Sequence, residues 1–136
     1  MEKFRHLFEA VRSRTSMYLP DPAYASVAAL VQGYDLATEG GVLMGFREWL
    51  IPRVNGGNEL SWGSLVLKLA FPEVVDPHSA LVDEGANTHA IDLLFKLIAD
   101  FDDEKRGRNG LRRILKNYEN WLQAQPWHQP GTPGWV

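Results

Sequence analysis

Ser61-Trp62-Gly63-Ser64-Leu65-Val66-Leu67-Lys68-Leu69-Ala70-Phe71 is the stretch of this chain that reads two ways. Its centre, Leu65-Val66-Leu67, is a short apolar run of the kind a buried strand uses, and a strand here would make the fold mixed. Trp62, Leu65, Val66 and Leu69 also recur at the helical period, Ser61 offers a hydroxyl to cap the first turn, and Pro72 follows as a stop. Helix is the preferred reading, with strand as its alternative. The choice decides the fold class, because the other periodic segments are helical.

Upstream, Phe4, Leu7, Phe8 and Val11 form the apolar stripe of a first helix ending near Arg14. Asp21-Pro22 then makes a second helix start, with a capping carboxylate and a proline whose missing N–H costs nothing there. Tyr24, Val27, Leu30, Val31 and Tyr34 are its buried stripe, and Gly40-Gly41 stops it. Leu43, Phe46, Trp49, Leu50 and Val54 continue the period in a third helix that Pro52 kinks or shortens. Asn55-Gly56-Gly57-Asn58 is a turn by composition.

Downstream, residues 72–86 read as one long loop, and a loop of that length is either mobile or used. Asn87 or Thr88 opens the strongest helix, with Ile91, Leu94, Phe95, Ile98 and Phe101 on one face. Gly107 and Gly110 break it, and Leu111, Ile114, Leu115, Tyr118 and Leu122 mark a last helix. The expected fold is all-α, a single compact domain of five or six helices over residues 1–124. Residues 125–136 form an irregular Pro/Gly/Trp-rich tail, packed on the domain or flexible.

The chain has 136 residues, 45% hydrophobic and 23% charged, which suits one folded domain and leaves no case for disorder. A net charge of −3 argues against broad nucleic-acid binding but leaves room for a local basic patch. The absence of cysteine removes disulfides, thiolate metal sites and cysteine nucleophiles together. No leader-like or membrane-length apolar run occurs, so the expected address is the cytoplasm.

Reactive constellations are weak. His6, His78, His89 and His128 are scattered and no His-Glu-x-x-His run exists, so surface or capping roles outweigh a metal site. Trp62-Gly63-Ser64-Leu65 lacks the leading glycine of a hydrolase elbow. Asp100, Asp102, Asp103 and Glu104 start like a calcium loop, but Lys105 and Leu111 stand where glycine and a bidentate glutamate are required. Lys105, Arg106, Arg108, Arg112, Arg113 and Lys116 follow as a basic counterpart, and local pairing of the two runs is the simplest expectation. Trp49, Trp62 and Trp121 read as core, whereas Trp127 and Trp135 either dock back or act as anchors. No catalytic group, metal or cofactor is expected.

Arg14-x-x-Met17-Tyr18-Leu19, then Gly33-Tyr34, Phe46-x-x-Trp49, Leu60-Ser61-Trp62 and a helix from Ala90 to Phe101 together resemble a pattern found in small bacterial immunity proteins of polymorphic-toxin and contact-dependent growth inhibition systems. The pattern covers roughly the first hundred residues and is moderately specific as a set. Thr15 and Pro20 depart from it, since the family has proline and glycine there. The resemblance implies a cognate toxin as partner, neutralised by occlusion of its active site, with the motif residues defining the fold. Nuclease toxins carry basic clefts, so Asp100, Asp102, Asp103 and Glu104 become contact candidates, with Asp83 and Glu84 in the long loop next. The segment around Met17-Tyr18-Leu19 also resembles the start of type II topoisomerase ATPase subunits, but no Asp-x-Gly-x-Gly occurs and that reading fails. The alternative from another class is a nucleic-acid-associated regulator using the basic patch from Arg106 to Lys116.

Overall fold

The computed structural model describes residues 23–127 together with His6, Glu9 and Ala10. Among the described residues there are five α-helices and no strand: α1 Tyr24–Ala37, α2 Phe46–Val54, α3 Trp62–Ala70, α4 Glu84–Arg106 and α5 Gly110–Gln123, with a 3-10 turn at Pro77–Ala80. The fold is all-α. Of the expected first helix only His6, Glu9 and Ala10 are described, each helical. Its stripe and the segment spanning residues 14–20 lie outside the described residues, as do residues 128–136.

The ambiguous stretch is helix α3. Ser61 is extended and its Oγ accepts the Ser64 N–H at 3.3 Å, as an N-cap should. Leu65, Val66 and Leu67 are all buried, because α3 packs on α2, on α4 and on the 3-10 turn. A helix covered on several sides needs apolar residues around most of its circumference, which is why its centre looks like a strand.

The expected start at Asp21-Pro22 lies outside the described residues. The helix starts at Tyr24 behind an extended Ala23, which has no side chain to offer. Asn87 of α4 supplies the cap instead, its Oδ1 accepting the Tyr24 N–H at 2.7 Å. The Tyr24 hydroxyl donates to the Gly63 carbonyl at 2.8 Å, and burial pushes its pKa well above the ordinary phenol value. After α1, Asp35 Oδ1 accepts the Leu43 N–H at 2.8 Å and holds the turn that carries Val42 and Leu43 into the core. Gly45 ends that turn at φ 89°, and a Cβ there would stand 2.6 Å from Leu111 Cδ1, so α2 begins at Phe46 rather than Leu43. Pro52 lies inside α2, which stops two residues later.

The loop after α3 is shorter than expected. Asp83 Oδ1 accepts the Ala86 N–H at 2.7 Å, so α4 starts at Glu84 rather than at Asn87 or Thr88. The helix runs 23 residues, about 33 Å at 1.5 Å per residue. It is the axis of the molecule. Phe46 sits at the core's centre, with ring centroids 6.0 Å from Trp49, 5.9 Å from Trp62 and 5.3 Å from Phe101. At the far end α5 folds back across α4 at Gly110, where a Cβ would lie 2.2 Å from the Glu104 carbonyl oxygen. Ile114, Tyr118 and Leu122 are buried, but Leu115, expected in the same stripe, is 42% exposed. The start of the tail docks on α5: Gln125 Nε2 donates to the Trp121 carbonyl at 2.8 Å, and Trp127 meets Trp121 edge to face. No helix among the described residues is long and apolar enough to cross a membrane.

Candidate functional site

At 3.6 residues per turn, Asp100, Asp102, Asp103 and Glu104 cannot share one face of α4. Asp102 is 1% exposed and takes a 3.1 Å ion pair from Arg106 Nε one turn on. It is sealed from any partner. Glu104 Oε2 accepts from Trp49 Nε1 at 2.6 Å and from Arg53 Nη2 at 3.3 Å, while the Arg53 guanidinium lies 3.6 Å over the Trp49 ring. That cluster ties α4 to α2. Asp100 pairs with Lys96 at 2.9 Å, and Asp103 is exposed. Two of the helix-end acids therefore hold the fold, while Asp100 and Asp103, three residues apart, share an exposed side of α4.

Asp83 and Glu84 lie at the other end of α4, in surroundings that the sequence did not single out. Asp83 is the α4 cap and Glu84 is in the first turn, where a carboxylate also complements the helix dipole. Both remain exposed. Beside them Val75 is 99% exposed and Val82 79%, with Val74 also exposed and Glu73 and Asp76 at the flank. No lysine or arginine occurs between Lys68 and Lys96, so the segment that carries these valines is itself acidic.

The loop is braced. Pro77 is buried, Leu81 packs against the core, and Ser79 Oγ donates to the Asp76 carbonyl at 2.6 Å. Ser64 Oγ lies 3.1 Å from His78 Nε2, clasping the 3-10 turn to α3. A serine beside a histidine is also the start of a nucleophile–base pair, but among the described residues no carboxylate orients the other ring nitrogen, and the clasp is the role the contacts support. Nothing in the sequence marks this pair, because Ser64 and His78 come together only through the loop's path. His89 donates from Nε2 to the Ala70 carbonyl at 3.0 Å, closing the C-terminus of α3. Among the described residues no group of three or more histidines and carboxylates is placed to hold a metal ion.

The expected pairing of acidic and basic runs is confined to Arg106 with Asp102, outside Glu104's contact with Arg53. Lys105 Nζ lies 5.5 Å over the Phe101 ring. Arg108, Arg112, Arg113 and Lys116 are exposed and make no ion pair among the described residues. With Asn109, Leu115 and Glu119 they line an open groove of about 670 Å³.

Compared with known proteins, the chain matches no family model, no curated protein and no solved structure. Phe46, Trp49, Trp62 and Phe101, which carry much of the resemblance drawn from the sequence, meet in one aromatic cluster. Those residues are core, not surface.

Proposed function

We propose that the chain acts by binding, as an immunity-type inhibitor that occludes a basic site on a cognate toxin domain, and that the valine-and-carboxylate end is its contact surface. The observation that carries this reading is the exposure of Val75 and Val82 on a braced loop, with the exposed carboxylates Glu73, Asp76, Asp83 and Glu84 beside them in sequence. Apolar anchors inside a polar rim are how protein interfaces concentrate their energy, and each valine contributes about 1.5 kcal/mol or more when fully covered. Bracing by Pro77, Leu81 and His78 lowers the ordering cost on association. The carboxylates speed encounter with a basic cleft and disfavour acidic partners. Asp83 and Glu84 thus stay as contact candidates, joined by the two valines, while Asp100 and Asp103 fall to the periphery.

The test is co-expression in a bacterial host with the C-terminal domain encoded directly upstream of this gene. The wild-type chain restores growth, and a variant carrying Val75→Asp with Val82→Asp does not, although its circular dichroism is unchanged. A harmless upstream domain, or rescue by the double variant as good as wild type, overturns the proposal.

A further inference from the structure

We infer that the groove on α5 is a second binding site, one that takes the phosphodiester backbone of a nucleic acid. The residues that line it are mostly cationic, with Arg108, Arg112, Arg113 and Lys116 against the single carboxylate of Glu119. None of the four is spent on an ion pair among the described residues, whereas Arg53, Lys96 and Arg106 each are.

The arrangement works against helix stability. On α5 Arg112 and Lys116 are four residues apart and Arg113 and Lys116 three apart, so like charges face one another along one side, and Arg108 joins them from the turn before the helix. Arg112 and Arg113 also lie in the first turn of α5, at the positive end of its dipole, and that turn holds no acidic residue. A ligand carrying several negative charges relieves all of these repulsions at once.

The spread of the cations selects the class of ligand. Arg112 and Lys116 are about 6 Å apart along the axis of α5 at helical rise, with Arg108 beyond them in the turn before the helix, a spacing suited to consecutive phosphates of a strand. Three of the four are arginines, whose planar fork takes phosphate oxygens in pairs. Among the described residues no aromatic side chain lines the groove, which favours reading of the backbone over stacking of the bases. An acidic protein surface fits less well. Interface cores are depleted of charge, and among the described residues Leu115, at 42% exposed, is the only apolar side chain the groove offers.

Fluorescence anisotropy with two labelled probes tests the inference: a single-stranded RNA and a duplex DNA, each about 20 nucleotides long, titrated between about 50 and 200 mM NaCl. Four phosphate contacts predict a slope of log K against log salt of about −3.6 for the duplex and about −2.8 for the single strand. The two arms show which backbone is preferred. Arg112→Glu with Arg113→Glu is expected to weaken binding at least tenfold and flatten the slope, while Arg112→Lys with Arg113→Lys keeps most of it and Val75→Asp with Val82→Asp changes nothing. Absence of binding to both probes at the lowest salt overturns the proposal, as does a slope unaffected by the glutamate pair. Salt-sensitive self-association in sedimentation, abolished by Asp83→Lys with Glu84→Lys, would instead assign the groove to the acidic end of a second copy and overturn it too.

Discussion

The two ends of α4 carry opposite charge, and each uses it differently. At the N-terminal end four exposed carboxylates flank exposed valines in sequence, on a loop held by Pro77, Leu81 and the Ser64–His78 clasp. At the C-terminal end, across the Gly107 break, Arg108, Arg112, Arg113 and Lys116 stand around a groove with one half-exposed leucine. Apolar anchors within a rigid rim suit a protein surface; unpaired arginines with little apolar area suit phosphates. The ends are about 33 Å apart, several times the screening length of about 8 Å at physiological salt, so each works without the other's field. Near the C-terminal end of α4 two ion pairs hold structure, Asp102 with Arg106 and Glu104 with Arg53, while Lys96 pairs with Asp100 on the surface.

The largest effect should erase the comparison altogether. Phe101 is fully buried against Phe46 and Trp49 between the two ends, and Phe101→Ala is expected to cost about 3 to 5 kcal/mol in urea unfolding. If both binding activities fall together in that variant, in proportion to the unfolded fraction, the core is all that couples them. Asp83→Ala sharpens the acidic end. Loss of the α4 cap should lower unfolding free energy by about 1 kcal/mol, with partner affinity falling further than that because a rim carboxylate also goes. Smallest is the effect of Arg112→Glu with Arg113→Glu on stability, which should rise by about 0.3 to 1 kcal/mol as the helix dipole is complemented. A drop in stability there would mean that these arginines hold the fold, contrary to their lack of ion pairs.

Much of this was legible in the sequence, for stated physical reasons. Helical period identified the apolar stripes of α1, α2, α4 and α5, and it resolved residues 61–71 correctly because Trp62, Leu65, Val66 and Leu69 share a face even in a run dense with valine and leucine. Boundaries were less legible. α4 begins at the Asp83 cap, but its first turn of Glu84, Gly85 and Ala86 has no apolar stripe to announce it, and Asn87, which looks like a cap, is one for α1 instead. Leu115 fits the period of α5 yet faces out, since the stripe through Ile114, Tyr118 and Leu122 already fills the contact with its neighbours.

The acidic run at Asp100 to Glu104 illustrates why a surface is harder to read than a core. Sequence proximity groups four carboxylates, but the helix turns Asp102 inward, away from the exposed side that Asp100, Asp103 and Glu104 share. Asp83 and Glu84 were visible as loop acids, but Val75 and Val82 carried no signal. Whether a loop valine packs down or stands out depends on where the 3-10 turn at Pro77–Ala80 directs the chain.

On the proposed function the acidic valine end, and not the basic groove, contacts the domain encoded upstream. Surface-bound biosensor titration of the upstream-encoded toxin domain against Val75→Asp/Val82→Asp and Arg112→Glu/Arg113→Glu tests it most directly. The valine pair should lose at least about 30-fold in affinity, as expected of interface anchors worth about 2 kcal/mol, with the arginine pair at wild-type affinity. Equal binding by wild type and the valine pair, with the loss appearing in the arginine pair, would contradict the account.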